Sequence, residues 1–135
     1  MTTPVAINPE RMRDEGDCAL AALAMLTGAP YPTVSRVALK TVRRRPHATG
    51  LWAGEVMKIA KALKTPLRRV KLKGKLHTSL DEATGILLVQ RGDGSHAVVL
   101  FQGVVINPAD GLIWDLDTYL TEGEWTLHEL LVPIR

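Results

Sequence analysis

The feature that most constrains the fold is the run of residues 18–26, which contains only Cys, Ala, Leu and Met. Asp17 precedes the run and can cap a helix, because its carboxylate accepts from the free backbone N–H groups of the first turn. Gly28 follows the run and is a typical helix stop. A helix that is apolar on almost every side has to be buried. The sequence therefore predicts a helix over residues 17–27 that runs through the centre of the protein.

The only cysteine of the chain, Cys18, lies at the start of this predicted helix. Free N–H groups and the positive end of the helix dipole favour a thiolate at that position. The negative charge of Asp17 opposes a thiolate. A lone cysteine is more commonly a small buried hydrophobic residue. On the helix alone, both a packing role and a nucleophilic role stay open.

Length and composition indicate one soluble domain over residues 1–135, because 46% of the residues are hydrophobic and the length suits a single core. No run approaches the roughly 18 apolar residues of a membrane span, and the N-terminus lacks the pattern of a signal peptide. One cysteine excludes an internal disulfide and a multi-cysteine zinc site. A free thiol suits a reducing compartment, so we expect a cytoplasmic protein without a membrane partner.

The formal net charge of +3 is mild, and two basic clusters carry much of it. One is the run of three arginines at residues 43–45, and the other lies within residues 64–75. Neither is interleaved with aromatic side chains, which nucleic-acid sites use to stack bases. Solvated surfaces therefore explain these clusters better than a nucleic-acid partner does.

Hydrophobic periodicity divides the chain into a helical first half and a strand-rich second half. The predicted helices cover residues 17–27, 33–42 and 51–63, with a helical turn at 117–120, and the predicted strands cover residues 67–72, 85–90, 96–101, 104–107, 112–114 and 125–134. Helices followed by an antiparallel sheet give the α+β class.

The strands around Gln102 and Gly103 form a predicted hairpin with a two-residue turn. In that register Phe101 pairs with Val104, and His96 and Asn107 become diagonal neighbours on one face. A bulge of one residue would instead bring Asp110 across to His96.

A histidine that is oriented by an amide and faces a cysteine at a helix start is typical of a nucleophile with its base. His96 would deprotonate Cys18 and then protonate the leaving group, while Asn107 would hold the imidazole in the productive tautomer. No pair among the other histidines has metal-ligand spacing, so we expect neither a metal nor a cofactor. These other histidines are treated as surface residues: His47, His77 and His128.

Three segments together resemble the C39 peptidase family: DCALAALAML (residues 17–26), SHAVVL (95–100) and INPADG (106–111). These papain-like domains precede the membrane and ATPase parts of bacteriocin exporters, and they cleave leader peptides after a double glycine. The resemblance implies a papain-like α+β fold, in which a central buried helix packs on a C-terminal antiparallel sheet. It also implies that Cys18 is the nucleophile, that His96 is the base and that Asn107 occupies the position of the family's aspartate. Free-standing domains that resemble this family occur in phage and bacterial genomes.

The chain departs from the family pattern at two positions. Ala19 follows the cysteine where the family has glycine, and Met12 replaces a glutamine whose side-chain amide lines the oxyanion hole. Methionine cannot donate a hydrogen bond, although Asn8 could take over that role.

Two classes of function follow. The first is a cysteine peptidase-like hydrolase of a peptide or isopeptide bond, with glycine beside the scissile bond as the family's narrow cleft implies; deamidation and acyl transfer on the same triad stay open. The second is a catalytically weak or inactive domain that binds a peptide or protein partner.

Overall fold

The computed structural model describes residues 18–42, 53–72, 80, 83–92, 94–108 and 111–134. Within these ranges the chain forms four helices and six strands. In chain order they are α1 (Cys18–Thr27), α2 (Tyr31–Val42), α3 (Ala53–Ala62), β1 (Leu67–Lys71), β2 (Thr84–Arg91), β3 (Gly94–Phe101), β4 (Val104–Ile106), β5 (Ile113–Asp115), α4 (Leu116–Gly123) and β6 (Thr126–Pro133). The predicted α+β class is confirmed.

The apolar run forms the central helix, as predicted. All residues from 19 to 25 are buried, because α1 contacts β3 on one side and α2 and α3 on others. The helix ends at Thr27, and the N–H of the next residue, Gly28, donates to the carbonyl of Ala24 at 3.0 Å, with a φ of +77° that favours glycine. Because α1 has neighbours on several sides, no face of it is left for polar residues, and this explains its almost entirely apolar composition.

The strands form one antiparallel sheet in the order β1-β6-β2-β3-β4-β5. Both faces of β3 are covered. Ala97 and Val99 belong to the core under the helices, whereas Val98 and Leu100 belong to a second core that α4 shares. The strand that carries His96 is therefore held from both sides.

The hairpin of β3 and β4 has the predicted register. Phe101 pairs with Val104 across a two-residue turn, in which Gln102 and Gly103 have φ values of +49° and +83°. Positive φ at both turn positions gives the tight connection whose twist matches that of the strands. This turn sets which residues of the two strands face each other.

Some element bounds differ from the prediction for identifiable reasons. Helix α2 begins two residues before the predicted Thr33, because Pro30 and Pro32 lie at its start, where no backbone N–H is needed. The predicted turn at 117–120 is a longer helix, α4, since the carboxylate of Asp115 accepts from the N–H of Thr118 at 3.2 Å and caps it.

Among the described residues, no single helix has both the length and the apolar character needed to cross a membrane. The pair α1 and α2 passes that test together by length and composition, with a bend of 117° between them.

Candidate active site

The side chains of His96 and Asn107 are hydrogen-bonded to each other. Nε2 of His96 lies 2.8 Å from Oδ1 of Asn107. An amide oxygen only accepts, so Nε2 carries the proton of this hydrogen bond. The hairpin register produces the contact, because β4 ends at Ile106 opposite Val99 and the next residue, Asn107, continues on the face that holds His96.

The thiol of Cys18 lies against the same ring. It is half-buried at the first residue of α1 and makes a hydrogen bond with His96. Because Asn107 occupies Nε2, the thiol meets the ring through Nδ1. The backbone N–H groups of Ala97 and Ala19 also donate to the sulfur. When His96 is protonated, three donors therefore converge on one sulfur atom.

These contacts lower the pKa of Cys18. Burial is the largest influence and on its own raises the pKa, since it disfavours the charged thiolate. The hydrogen bond and positive charge of His96, together with the N–H groups of Ala97 and Ala19, outweigh burial. The site thus favours a thiolate below the pH at which an ordinary cysteine ionises.

The pKa of His96 moves in the opposite direction and is raised. Burial, the largest influence, lowers it, but the hydrogen bond and negative charge of Cys18 outweigh burial, and Asn107 adds to the rise. The positive charge of Arg91 works against the imidazolium. The two shifts together describe a thiolate and an imidazolium that stabilise each other.

An aromatic side chain that the sequence analysis missed lies on His96. The rings of Trp125 and His96 stack with centroids 5.7 Å apart and planes 23° apart. Tyr119 stacks on the same indole, with centroids 6.4 Å apart. The available signal was composition, because three of the six Phe, Trp and Tyr residues fall between positions 114 and 125.

Several residues from the sequence analysis have no described position. The segment that would supply a further oxyanion donor lies outside the described ranges, and so does the alternative third member of the triad. The residues concerned are Asn8, Met12, Asp17, His47, His77 and Asp110. The β3–β4 register has no bulge over its three pairs, so it is the register that predicted Asn107 as the partner of His96.

His128 lies apart from the site, on β6. Its Nε2 is 3.2 Å from the carboxylate of Glu129, and nearly half of its side chain is exposed. In the part of the chain that the structure describes, no group of three or more His, Cys, Asp or Glu side chains is arranged to hold a metal ion.

Comparisons with known proteins find a similarity of structure. No protein-family model matches the chain, and no curated protein matches it by sequence. A solved structure does match: the peptidase domain of ComA from Streptococcus, a bi-functional ABC transporter involved in quorum sensing. The TM-score is 0.62 at 18% identity, over 96% of this chain and 100% of that one. At this identity the similarity concerns the fold alone, and it confirms the fold implied by the sequence resemblance. The chain has the fold of a C39-type cysteine peptidase domain.

Proposed function

We propose that this chain is a thiol hydrolase that cleaves a peptide or isopeptide bond through a thioester on Cys18. The observation that carries the proposal is the position of His96 between two partners. On one side the thiol of Cys18 hydrogen-bonds to the ring, and on the other Oδ1 of Asn107 accepts from Nε2 at 2.8 Å. Nδ1 is left to exchange a proton with the sulfur, which is what a nucleophile requires of its base.

The first half of the reaction forms the thioester. The thiol proton of Cys18 moves to Nδ1 of His96, and the sulfur attacks the carbonyl carbon of the scissile bond. The tetrahedral intermediate collapses when the imidazolium of His96 gives its proton to the departing amine. The C–N bond breaks, the amine leaves, and the acyl group stays on the sulfur.

The second half releases the acid. Water enters the space left by the amine, and Nδ1 of His96 takes a proton from it as it attacks the thioester carbon. The C–S bond breaks, the sulfur recovers the proton from His96, and the carboxylic acid departs. Asn107 keeps Nε2 protonated throughout, so the same nitrogen serves as base and acid in turn.

Both tetrahedral intermediates carry an oxyanion that needs hydrogen-bond donors. The backbone N–H of Cys18 at the start of α1 is one such donor in our proposal, because helix N-termini present unpaired N–H groups. Removing one donor from an oxyanion hole costs on the order of 10²–10³ in rate. Met12 at the family's glutamine position therefore implies a slower enzyme unless another donor, such as Asn8, replaces it.

We propose a peptide or protein as the substrate, because a peptidase-domain fold is built to hold an extended chain beside its nucleophile. Glycine next to the scissile bond is the expected specificity, and it follows from the C39 resemblance. An amine instead of water in the second step would make the reaction acyl transfer, and a side-chain amide as substrate would make it deamidation. The free thiol suits a reducing compartment such as the cytoplasm.

A second candidate function is the binding of a peptide or protein partner without cleavage. The observation that favours it is Met12, whose thioether cannot supply the hydrogen bond of the family's glutamine. The pairing of Cys18 with His96 and Asn107 opposes it, since a binding surface has no need of an activated thiol.

The decisive experiment measures the rate of iodoacetamide alkylation of Cys18 from about pH 4 to 10. We expect the wild-type thiol to react well below the free cysteine pKa of about 8.5, and we expect His96→Ala to abolish that acid-side reactivity. His128→Ala is the matched control, because it removes a histidine that lies outside the site. A wild-type thiol that titrates as an ordinary cysteine would contradict the proposal and leave the binding function.

Turnover is the second test. Glycine-containing peptides are incubated with wild type, Cys18→Ala and Met12→Gln, and the products are identified by mass spectrometry. We expect cleavage by wild type, none by Cys18→Ala, and faster cleavage by Met12→Gln if the missing donor limits the rate. A reactive thiol that cleaves none of these peptides would count against the proposed glycine specificity.

A further inference from the structure

The indole of Trp125, which stacks on His96, is itself held by Arg91 at the end of β2. The guanidinium carbon of Arg91 lies 4.1 Å from the centroid of the indole. Nη1 of the same residue donates to the carbonyl of Gly123 at 2.8 Å. A cation over an aromatic face is attracted by the ring quadrupole, and the hydrogen bond fixes the cation in that place. Arg91 thus joins β2, the end of α4 and the ring beside the active histidine.

The end of α4 leaves the indole little freedom. A Cβ atom on Gly123 would overlap Cδ1 and Nε1 of Trp125, so the indole lies directly against the glycine backbone. The N–H of Trp125 donates to the carbonyl of Leu120 at 2.9 Å, and Glu124 between them adopts a φ of +54°. The chain enters β6 at once, where Oγ1 of Thr126 donates to the carbonyl of Gln90, the neighbour of Arg91.

We propose that Arg91 is a positioning residue of the Cys18–His96 site, which acts by pinning the Trp125 indole against the imidazole. The inference rests on the proposed function, because it concerns the same base. A ring held only by hydrogen bonds at Nε2 and Nδ1 can still tilt about the line that joins these two nitrogens. A planar neighbour whose own position is fixed by Arg91 and by the backbone of Gly123 removes this freedom and keeps Nδ1 directed at the sulfur.

The charge of Arg91 and its contact with the Trp125 indole should have opposite effects on the Cys18–His96 ion pair, so an experiment can distinguish them. A positive charge near the ring disfavours the imidazolium, as the pKa of His96 reflects. In the described part of the chain, the titratable or charged groups that act on His96 are Cys18 from α1 and Arg91 from β2. If Arg91 acted through charge alone, its removal would strengthen the ion pair. If it acts by positioning, its removal weakens the pair.

The test follows the alkylation rate of Cys18 against pH in Arg91→Gln, Arg91→Lys and Gly123→Ala. Arg91→Gln removes both the clamp and the charge, whereas Gly123→Ala keeps the charge and displaces the indole. We expect both to lower the rate near pH 6 by about three- to tenfold, since half a unit to one unit of thiol pKa changes the thiolate fraction by that factor. Arg91→Lys keeps a cation that can reach the indole. Its alkylation rate near pH 6 should therefore lie between the rates of the other two variants and that of wild type.

A second readout and a control separate positioning from a loss of structure. Trp125 becomes the sole tryptophan in a Trp52→Phe, Trp114→Phe background, and acrylamide quenching of its emission should increase in Arg91→Gln. The control is Arg68→Gln, which removes an exposed arginine from β1 at the far edge of the sheet and should change neither readout. Arg91 is exposed, so its variants should fold even if Gly123→Ala does not.

The outcomes distinguish this inference from the proposed function. Arg91→Gln with unchanged or higher acid-side reactivity would overturn the positioning role, provided that the wild-type thiol reacts in acid and depends on His96. A wild-type thiol without acid-side reactivity would overturn the proposed function, and the positioning role with it. Greater quenching of Trp125 without any change at Cys18 would show that the clamp is structural only, and would also overturn the inference.

Discussion

His96 and Asn107 stand eleven residues apart in the chain, yet their side chains meet at 2.8 Å because a two-residue turn folds β4 back along β3. Asn107 follows the last residue of β4. If the register of Val99 with Ile106 continues by one pair, Asn107 lies opposite Val98, on the face that holds His96. The contact depends on a short local structure and needs no distant element. This explains why it could be predicted by counting residues from Gln102 and Gly103.

The hydrogen bond leads to a first prediction, for Asn107→Ala. A hydrogen bond to a charged group contributes about 1.5–3 kcal/mol, so its loss should reduce turnover, or acid-side alkylation of Cys18, by about 10- to 100-fold. Asn107→Asp is the matched variant, since its carboxylate still accepts from Nε2 and should retain reactivity. Equal rates in wild type and Asn107→Ala would show that the bond has no part in the chemistry.

A second prediction concerns the pKa of His96 in Cys18→Ala. The thiolate raises this pKa, and burial alone lowers it. Removal of the sulfur should therefore bring the pKa of His96 down relative to wild type, so that the ring loses its proton at a lower pH. Proton NMR of the ring Cε1–H against pH measures the change. A pKa that stays the same in Cys18→Ala would contradict the ion pair, and Arg68→Gln provides the unaffected control.

The sequence was sufficient for the parts of the fold that local patterns determine. The composition of residues 18–26 alone required a buried helix, and the turn at 102–103 determined the hairpin register. The predicted turn at 117–120 is shorter than α4, because hydrophobic periodicity does not mark a cap: Asp115 ends β5 and its carboxylate caps the helix that follows. Asp115 can be identified as a cap from the sequence only when the end of the preceding strand is known.

The stack of Trp125 on His96 could not be predicted in the same way. It depends on the sheet order, in which β6 inserts between β1 and β2 and so brings the end of α4 beside the start of β3. Periodicity reports which face of a strand is buried, but it does not report which strands are neighbours. Long-range pairing therefore places the side chain that stacks on His96, and a single sequence carries little signal for it.

A third prediction tests the central helix. Leu23 on α1 is fully buried, and Leu23→Ala should lower the free energy of unfolding by about 2–5 kcal/mol, because it removes buried methyl groups and leaves a cavity. Leu39→Ala on α2 is the control, since that side chain is 52% exposed and its loss should change stability by no more than about 0.5 kcal/mol. Urea denaturation measures both. Similar losses for the two variants would be inconsistent with a buried α1.

The last prediction uses two glycines whose surroundings differ. A Cβ on Gly85 of β2 would overlap the backbone carbonyl of Leu131 on β6, whereas a Cβ on Gly54 of α3 would meet nothing within 4 Å. Backbone cannot move aside as a flexible side chain can, so Gly85→Ala should force β2 and β6 apart and destabilise the fold by about 1–3 kcal/mol. Gly54→Ala should instead stabilise it by about 0.4–1 kcal/mol, because alanine restricts the unfolded chain and suits a helix.

Thermal unfolding of both variants measures this difference in sign. Because β2 lies between β6 and β3, which carries His96, separation of β2 from β6 should also disturb the site. We therefore expect Gly85→Ala to slow acid-side alkylation of Cys18, and Gly54→Ala to leave it unchanged. A Gly85→Ala protein as stable as wild type would be inconsistent with the close approach of the Leu131 carbonyl to Gly85.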